Sequence, residues 1–150
     1  GPPGWAHQHG FVIPGQVLLR LDSGLTISSR MYREQIAPHD ERVLRELGGG
    51  GLHSCGRLAH HAAEYLRVPS VRCLDLGQPE LNELDPLYAL ARPRQISLIR
   101  VTVSEAELSS GAVLRRFPTG VSLLYRAESM DQARKVFQAY QEACRRAAGG

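Results

Sequence analysis

Residues 51–76 read GLHSCGRLAHHAAEYLRVPSVRCLDL, and this stretch decides how the rest of the chain is parsed. Residues 51–55 and 71–76 are short strand-like runs bounded by Gly or polar residues, and 57–66 between them reads as a helix. Strand, helix, strand is a βα repeat, and such repeats make parallel sheet because parallel neighbours need a long crossover between them. Working outward, the same alternation runs from about residue 16 to the end without a dividing linker. Further strands are expected at 16–21, 96–103 and 121–127, and further helices near 30–47, 79–91, just after Ser104, and at 130–146.

The helix starts carry their own marks. Ser104 with Glu107 and Ser129 with Gln132 have the capping-box spacing, in which each side chain satisfies an exposed amide at the helix start. Pro79 suits a first turn, whereas Pro38 interrupts its stretch, so a break or a fresh start is expected near His39. The glycines at 48–51 lack the GKS and GxGxxG patterns of phosphate loops and precede a strand; they read as a helix-to-strand connection.

Five βα units are too few for an eight-stranded barrel of about 250 residues, the usual closed form of such repeats. The chain also opens on Gly1-Pro2-Pro3-Gly4 without a Met, and its residues through Pro14 show no clear periodicity. The expectation is an α/β chain forming part of a (β/α)8 barrel, with residues 1–15 an irregular N-terminal segment and 16–150 the barrel portion. It would be a fragment of a longer protein.

Composition narrows the class. A chain of 150 residues that is 43% hydrophobic and 22% charged has material for one core. The net charge is +3, and all but one of its 18 basic residues are arginines, scattered rather than gathered into a basic run with aromatics, so nucleic acid is not an expected partner. No run is apolar enough to span a bilayer and no signal-peptide pattern is recognisable in these 150 residues, so no membrane association is expected and the cytoplasm is the expected compartment. The three cysteines, Cys55, Cys73 and Cys144, do not form a disulfide framework. Cys144 continues the helical stripe Met130, Ala133, Phe137, Tyr140 and reads as core.

Chemistry points to His53-Ser54-Cys55-Gly56. An imidazole and a thiol two residues apart at a strand end face the same way, a combination that zinc uses. The bland alternative is a rim histidine beside a small buried thiol. His60 and His61 fall on the outer side of the following helix and read as solvated. Arg100 interrupts an apolar strand, so it either reaches inward to hold a carboxylate or phosphate or snorkels past an outer helix.

Taken in order, Leu21-Asp22-Ser23-Gly24, Ile27-Ser28-Ser29, Met31-Tyr32-Arg33-Glu34, Ala37-Pro38, Leu52-His53-Ser54-Cys55-Gly56, Leu74-Asp75-Leu76-Gly77 and the closing helix from Ser129 resemble the C-terminal half of the uroporphyrinogen decarboxylase-like superfamily, whose members are (β/α)8 barrels. The His-x-Cys-Gly segment looks most like the superfamily's zinc- and corrinoid-dependent methyltransferases. There zinc activates a thiol that accepts a methyl group from a corrinoid carried on a partner protein. By that resemblance His53 and Cys55 would be metal ligands, and Asp22 and Ser23 would face the active-site mouth and contact the small-molecule substrate, unless they merely cap the following turn. Arg100 would be a substrate-binding candidate for an anionic group. The further Cys of the methyltransferases is replaced here by the segment Gly120-Val121-Ser122-Leu123. Substitutes are Asp75 and Cys73, which share a strand face, with Asp75 nearer the rim where barrel sites are built.

Two other functions stay open. Decarboxylation of a tetrapyrrole is one, although the Asn-Leu-Gly-His-Gly segment of the decarboxylases is replaced by Pro118-Thr119-Gly120-Val121-Ser122. An inactive binding domain is the other, completed by a missing N-terminal half or by a second copy of the chain.

Overall fold

The computed structural model describes residues 5–8 and 10–149. Five parallel strands form one sheet in chain order: β3 (Val17–Arg20), β4 (Gly50–Ser54), β5 (Val71–Leu76), β6 (Ser97–Thr102) and β7 (Val121–Leu124). Each lies within the stretch expected for it or starts one residue earlier. A sheet whose order never reverses, joined by crossovers of one hand, carries its helices on one face.

Register makes the two faces explicit. Leu19, Leu52, Leu74, Leu98 and Val121 stand side by side across the sheet. They belong to the main core under the helices, with Leu52, Leu74 and Leu98 fully buried. One position further along, Arg20, His53, Asp75, Ile99 and Ser122 form the parallel row on the other face. One position back on that second face lie Leu18, Gly51, Cys73 and Ser97.

The N-terminal residues, expected to be irregular, fold into an antiparallel hairpin of β1 (Trp5–Gln8) and β2 (Phe11–Pro14), with residues 1–4 outside the described part. Its strands are too short for periodicity to register in sequence, yet the alternation exists: Ile13 is fully buried and Val12 exposed. Ile13 packs with Cys73 and Ile99, and with Leu18 and Phe11 around them, on the face without helices. The hairpin therefore closes the lower part of that face and leaves the row of His53 and Asp75 above it.

The outer layer comprises α1 (Ser29–Met31), α2 (Ala37–Glu46), α3 (Ala62–Tyr65), α4 (Leu84–Ala91), α5 (Glu105–Ser110), α6 (Ala112–Arg116) and α7 (Met130–Ala148). The fresh start expected near His39 comes at Ala37, with Pro38 in the first turn of α2. A π-helical turn, Tyr32–Ile36, joins α1 to α2, with the Ala37 N–H bonded to the Tyr32 carbonyl; the wider turn relieves the helix of the bond and the clearance a proline denies it. The stretch 57–66 yields only α3, because residues 59–61 form a turn. For that reason a helical wheel misplaces His61, which is fully buried, stacked on Tyr65, with Nε2 3.1 Å from the Ile27 carbonyl. Burial holds its pKa below the ordinary imidazole value.

The stripe assigned to α7 is also rotated. Val136 and Ala143 are its buried residues, Cys144 is half-buried, and Met130 and Phe137 are 69% and 60% exposed. The helix packs on the α5–α6 corner, where Gly111 lets Ala143 approach closely. Among the described residues no helix is long and apolar enough to cross a membrane.

Candidate metal centre

His53, the penultimate residue of β4, faces the side of the sheet without helices; Cys55 follows the strand. After β3 the chain tightens into a 3-10 turn, Asp22–Thr26, that carries Asp22 across to β4. The Leu21 N–H donates to the His53 carbonyl at 2.8 Å, and the Cys55 N–H donates to Asp22 Oδ1 at 2.8 Å. That donation, the largest influence on the group, holds the Asp22 carboxyl below its usual pKa. Burial and the neighbouring Asp22 carboxylate push the Cys55 thiol up.

Three donor atoms converge here. His53 Nε2 lies 3.6 Å from Cys55 Sγ and 3.5 Å from Asp22 Oδ1, and all three atoms lie within 4.8 Å of one another. Zinc bonds of about 2.0 to 2.3 Å at tetrahedral angles separate ligand atoms by about 3.3 Å for N and O and about 3.6 Å for N and S. The two separations from His53 Nε2 lie close to these values. One nitrogen, one sulfur and one oxygen make a set zinc accepts, and the fourth position would be left to solvent or substrate. Asp22 is 45% exposed, so the cluster opens to solvent on that side.

Local sequence explains how the thiol is held. A Cβ on Gly77 would stand 2.5 Å from Cys55 Sγ, so only glycine leaves room for it. Gln78 Oε1 accepts the Gly56 N–H at 2.9 Å, while Asn82 donates to the Gly56 carbonyl at 2.9 Å and accepts from the Leu58 N–H at 2.7 Å. Gly77, Gln78 and Asn82 thus clamp the loop behind the thiol, a role that nothing in their sequence pattern indicated.

Asp75 stands behind His53 rather than in the cluster. Its Oδ2 is 2.7 Å from His53 Nδ1, and Arg100 donates to Oδ1 from Nε at 2.6 Å and to Oδ2 from Nη2 at 2.7 Å. Both carboxylate oxygens are thereby engaged, and Asp22 occupies the third place that Asp75 was expected to take. Cys73 is apart from the cluster, fully buried against Ile13 and Ile99, its thiol pushed up to about 12 by burial. The Ser23 side chain is exposed, and its carbonyl accepts the Thr26 hydroxyl at 2.7 Å within the turn.

Arg100 reaches inward through a break in strand alternation. The pairing of β6 with β7 skips it between Ile99 and Val101, and its φ is +67°. Ile99 faces inward and Val101 outward into the core, so the extra residue turns the arginine to the site's side. A non-glycine residue in this region costs roughly 1 to 3 kcal/mol and persists only where its surroundings impose it; here the buried Asp75, 1% exposed, is the partner that does so. No family model, curated protein or solved structure matches the chain with significance.

Proposed function

We propose that this chain is part of a (β/α)8 barrel enzyme in which His53, Cys55 and Asp22 hold zinc, and that its reaction is methyl transfer from a corrinoid on a partner protein to a thiol. The observation that carries the reading is the His53, Cys55 and Asp22 cluster, whose spacing suits a tetrahedral ion with one position open. One-directional strand order and a site at the C-terminal strand ends support the barrel.

Bound zinc would supply Lewis acidity, stabilising the thiolate form of a thiol at the open position. The chain's own residues do the rest. Cys55 and Asp22 contribute two negative charges, His53 contributes a neutral donor, and the exposed Asp22 side leaves an approach from the rim. The hairpin under Cys73 and Ile99 closes the opposite end, so substrate and corrinoid protein meet the site from above.

Zinc content of the purified chain, measured by elemental analysis with His53→Ala and Cys55→Ala beside it, tests the reading. About one zinc per chain, lost in both variants, is expected; thiol methylation with methylcobalamin as donor then tests the reaction. A well-folded wild-type chain that takes up no zinc refutes it.

A further inference from the structure

We infer that Asp75 and Arg100 form a positioning pair that sets the metal affinity and geometry of His53, an inference that rests on the metal reading above. An imidazole has two nitrogens, and a ligand must offer the one without a proton. His53 Nδ1 is 2.7 Å from Asp75 Oδ2, so the neutral ring carries its proton on Nδ1 and donates it there. Its lone pair is left on Nε2, the nitrogen that faces Cys55 and Asp22. Hydrogen bonding of this kind to the distal nitrogen fixes the ring's orientation and raises its donor strength.

Arg100 is what keeps that carboxylate in place. Asp75 and His53 are 1% and 3% exposed, and an isolated buried carboxylate is too poorly solvated to persist. The guanidinium binds both oxygens in a fork, which fixes the carboxylate plane as well as its charge. Arg100 Nη2 is also 3.0 Å from His53 Nδ1; both are donors that converge on the same Oδ2, and together they exclude Nδ1 as the ligating atom. The strand bulge at Arg100 has no other visible task, since regular alternation would have sent the side chain to the helix-covered face. Among the described residues the side-chain hydrogen bonds of Arg100 run to this carboxylate and lie against the ring beside it, so the strained residue is a device for holding them.

The test uses zinc, by competition with a chromophoric chelator, and cobalt(II), by its visible absorption, on the wild-type chain, Asp75→Asn and Arg100→Gly. Asn keeps the shape of Asp75 and removes its charge. Gly accepts the positive φ of the bulge, so Arg100→Gly removes the fork while keeping the backbone, and it decides the matter if Asp75→Asn does not fold. The expected result is a loss of zinc affinity on the order of 10- to 100-fold with displaced cobalt bands, while near-ultraviolet circular dichroism stays that of wild type. Wild-type affinity and an unaltered cobalt spectrum in the folded variants would overturn the inference and leave the metal reading standing. A wild-type chain that binds neither ion overturns both.

Discussion

Gly77 carries no functional group, yet the position of Cys55 depends on it. Gly77→Ala places a methyl group against Sγ, so the variant should lose about 1 to 3 kcal/mol of stability by overpacking and also bind zinc more weakly; denaturant unfolding and chelator competition read the two effects, and unchanged metal affinity would contradict the account. The two cysteines of the sheet should separate cleanly. Cys73→Ser buries a hydroxyl among apolar neighbours at a cost of about 1 to 3 kcal/mol and, on the proposed zinc reading, should leave zinc content intact, whereas Cys55→Ser should abolish it at little cost to the fold. His53 and Cys55 were legible as a pair because residues two apart at a strand end share a direction. Asp22 was legible only as a rim residue, since its place in the candidate cluster depends on a turn that brings a distant segment within 2.8 Å of the Cys55 amide. Arg100 was legible as an anomaly but not as the partner of Asp75, because strict alternation offers no place for a bulge.

At the scale of elements, helix starts were the most readable feature. The Ser104 box is complete, with Glu107 accepting from the Ser104 N–H and the Ser104 hydroxyl accepting from the Glu107 N–H. At α7 the Ser129 hydroxyl accepts from the Gln132 N–H, but Gln132 Oε1 accepts from the Glu128 N–H, one residue upstream of the expected donor. Ser104→Ala should cost about 1 kcal/mol, read by thermal unfolding. The Ser104 N–H, before any other group, holds Glu107 below its usual carboxylate range. A depressed folded-state pKa means stability complete above the unfolded value of 4.5 and lost as pH falls through the folded one. Glu107→Gln should therefore flatten part of the loss of stability below that value, and an unchanged pH profile would contradict it. The rotation of α7 and the shortness of α3 could not be read, because which stripe a helix buries depends on its neighbours and not on its own period alone.

Across the whole molecule, among the described residues, the sheet ends in two unpaired edges, β3 and β7, and unpaired edges invite pairing. The helices at the two ends of the series also leave apolar residues uncovered: Met31, Ile36, Val43 and Leu47 along α1 to α2, and Met130 and Phe137 on α7. The isolated chain should consequently associate with a second copy at micromolar concentration, and Met130→Glu with Phe137→Glu should shift it toward monomer; a wild-type chain that sediments as a monomer would contradict this. The strand order has a further, kinetic consequence. Each strand of the sheet pairs with the one made just before it, so loop closures stay short and the sheet can grow unit by unit as the ribosome delivers it. The hairpin cannot follow that schedule. Ile13 seats against Cys73 and Ile99, so the earliest-made of the described strands must wait for β6 before they have a surface to settle on, and they should be the last part of the protein to gain protection from hydrogen exchange during refolding.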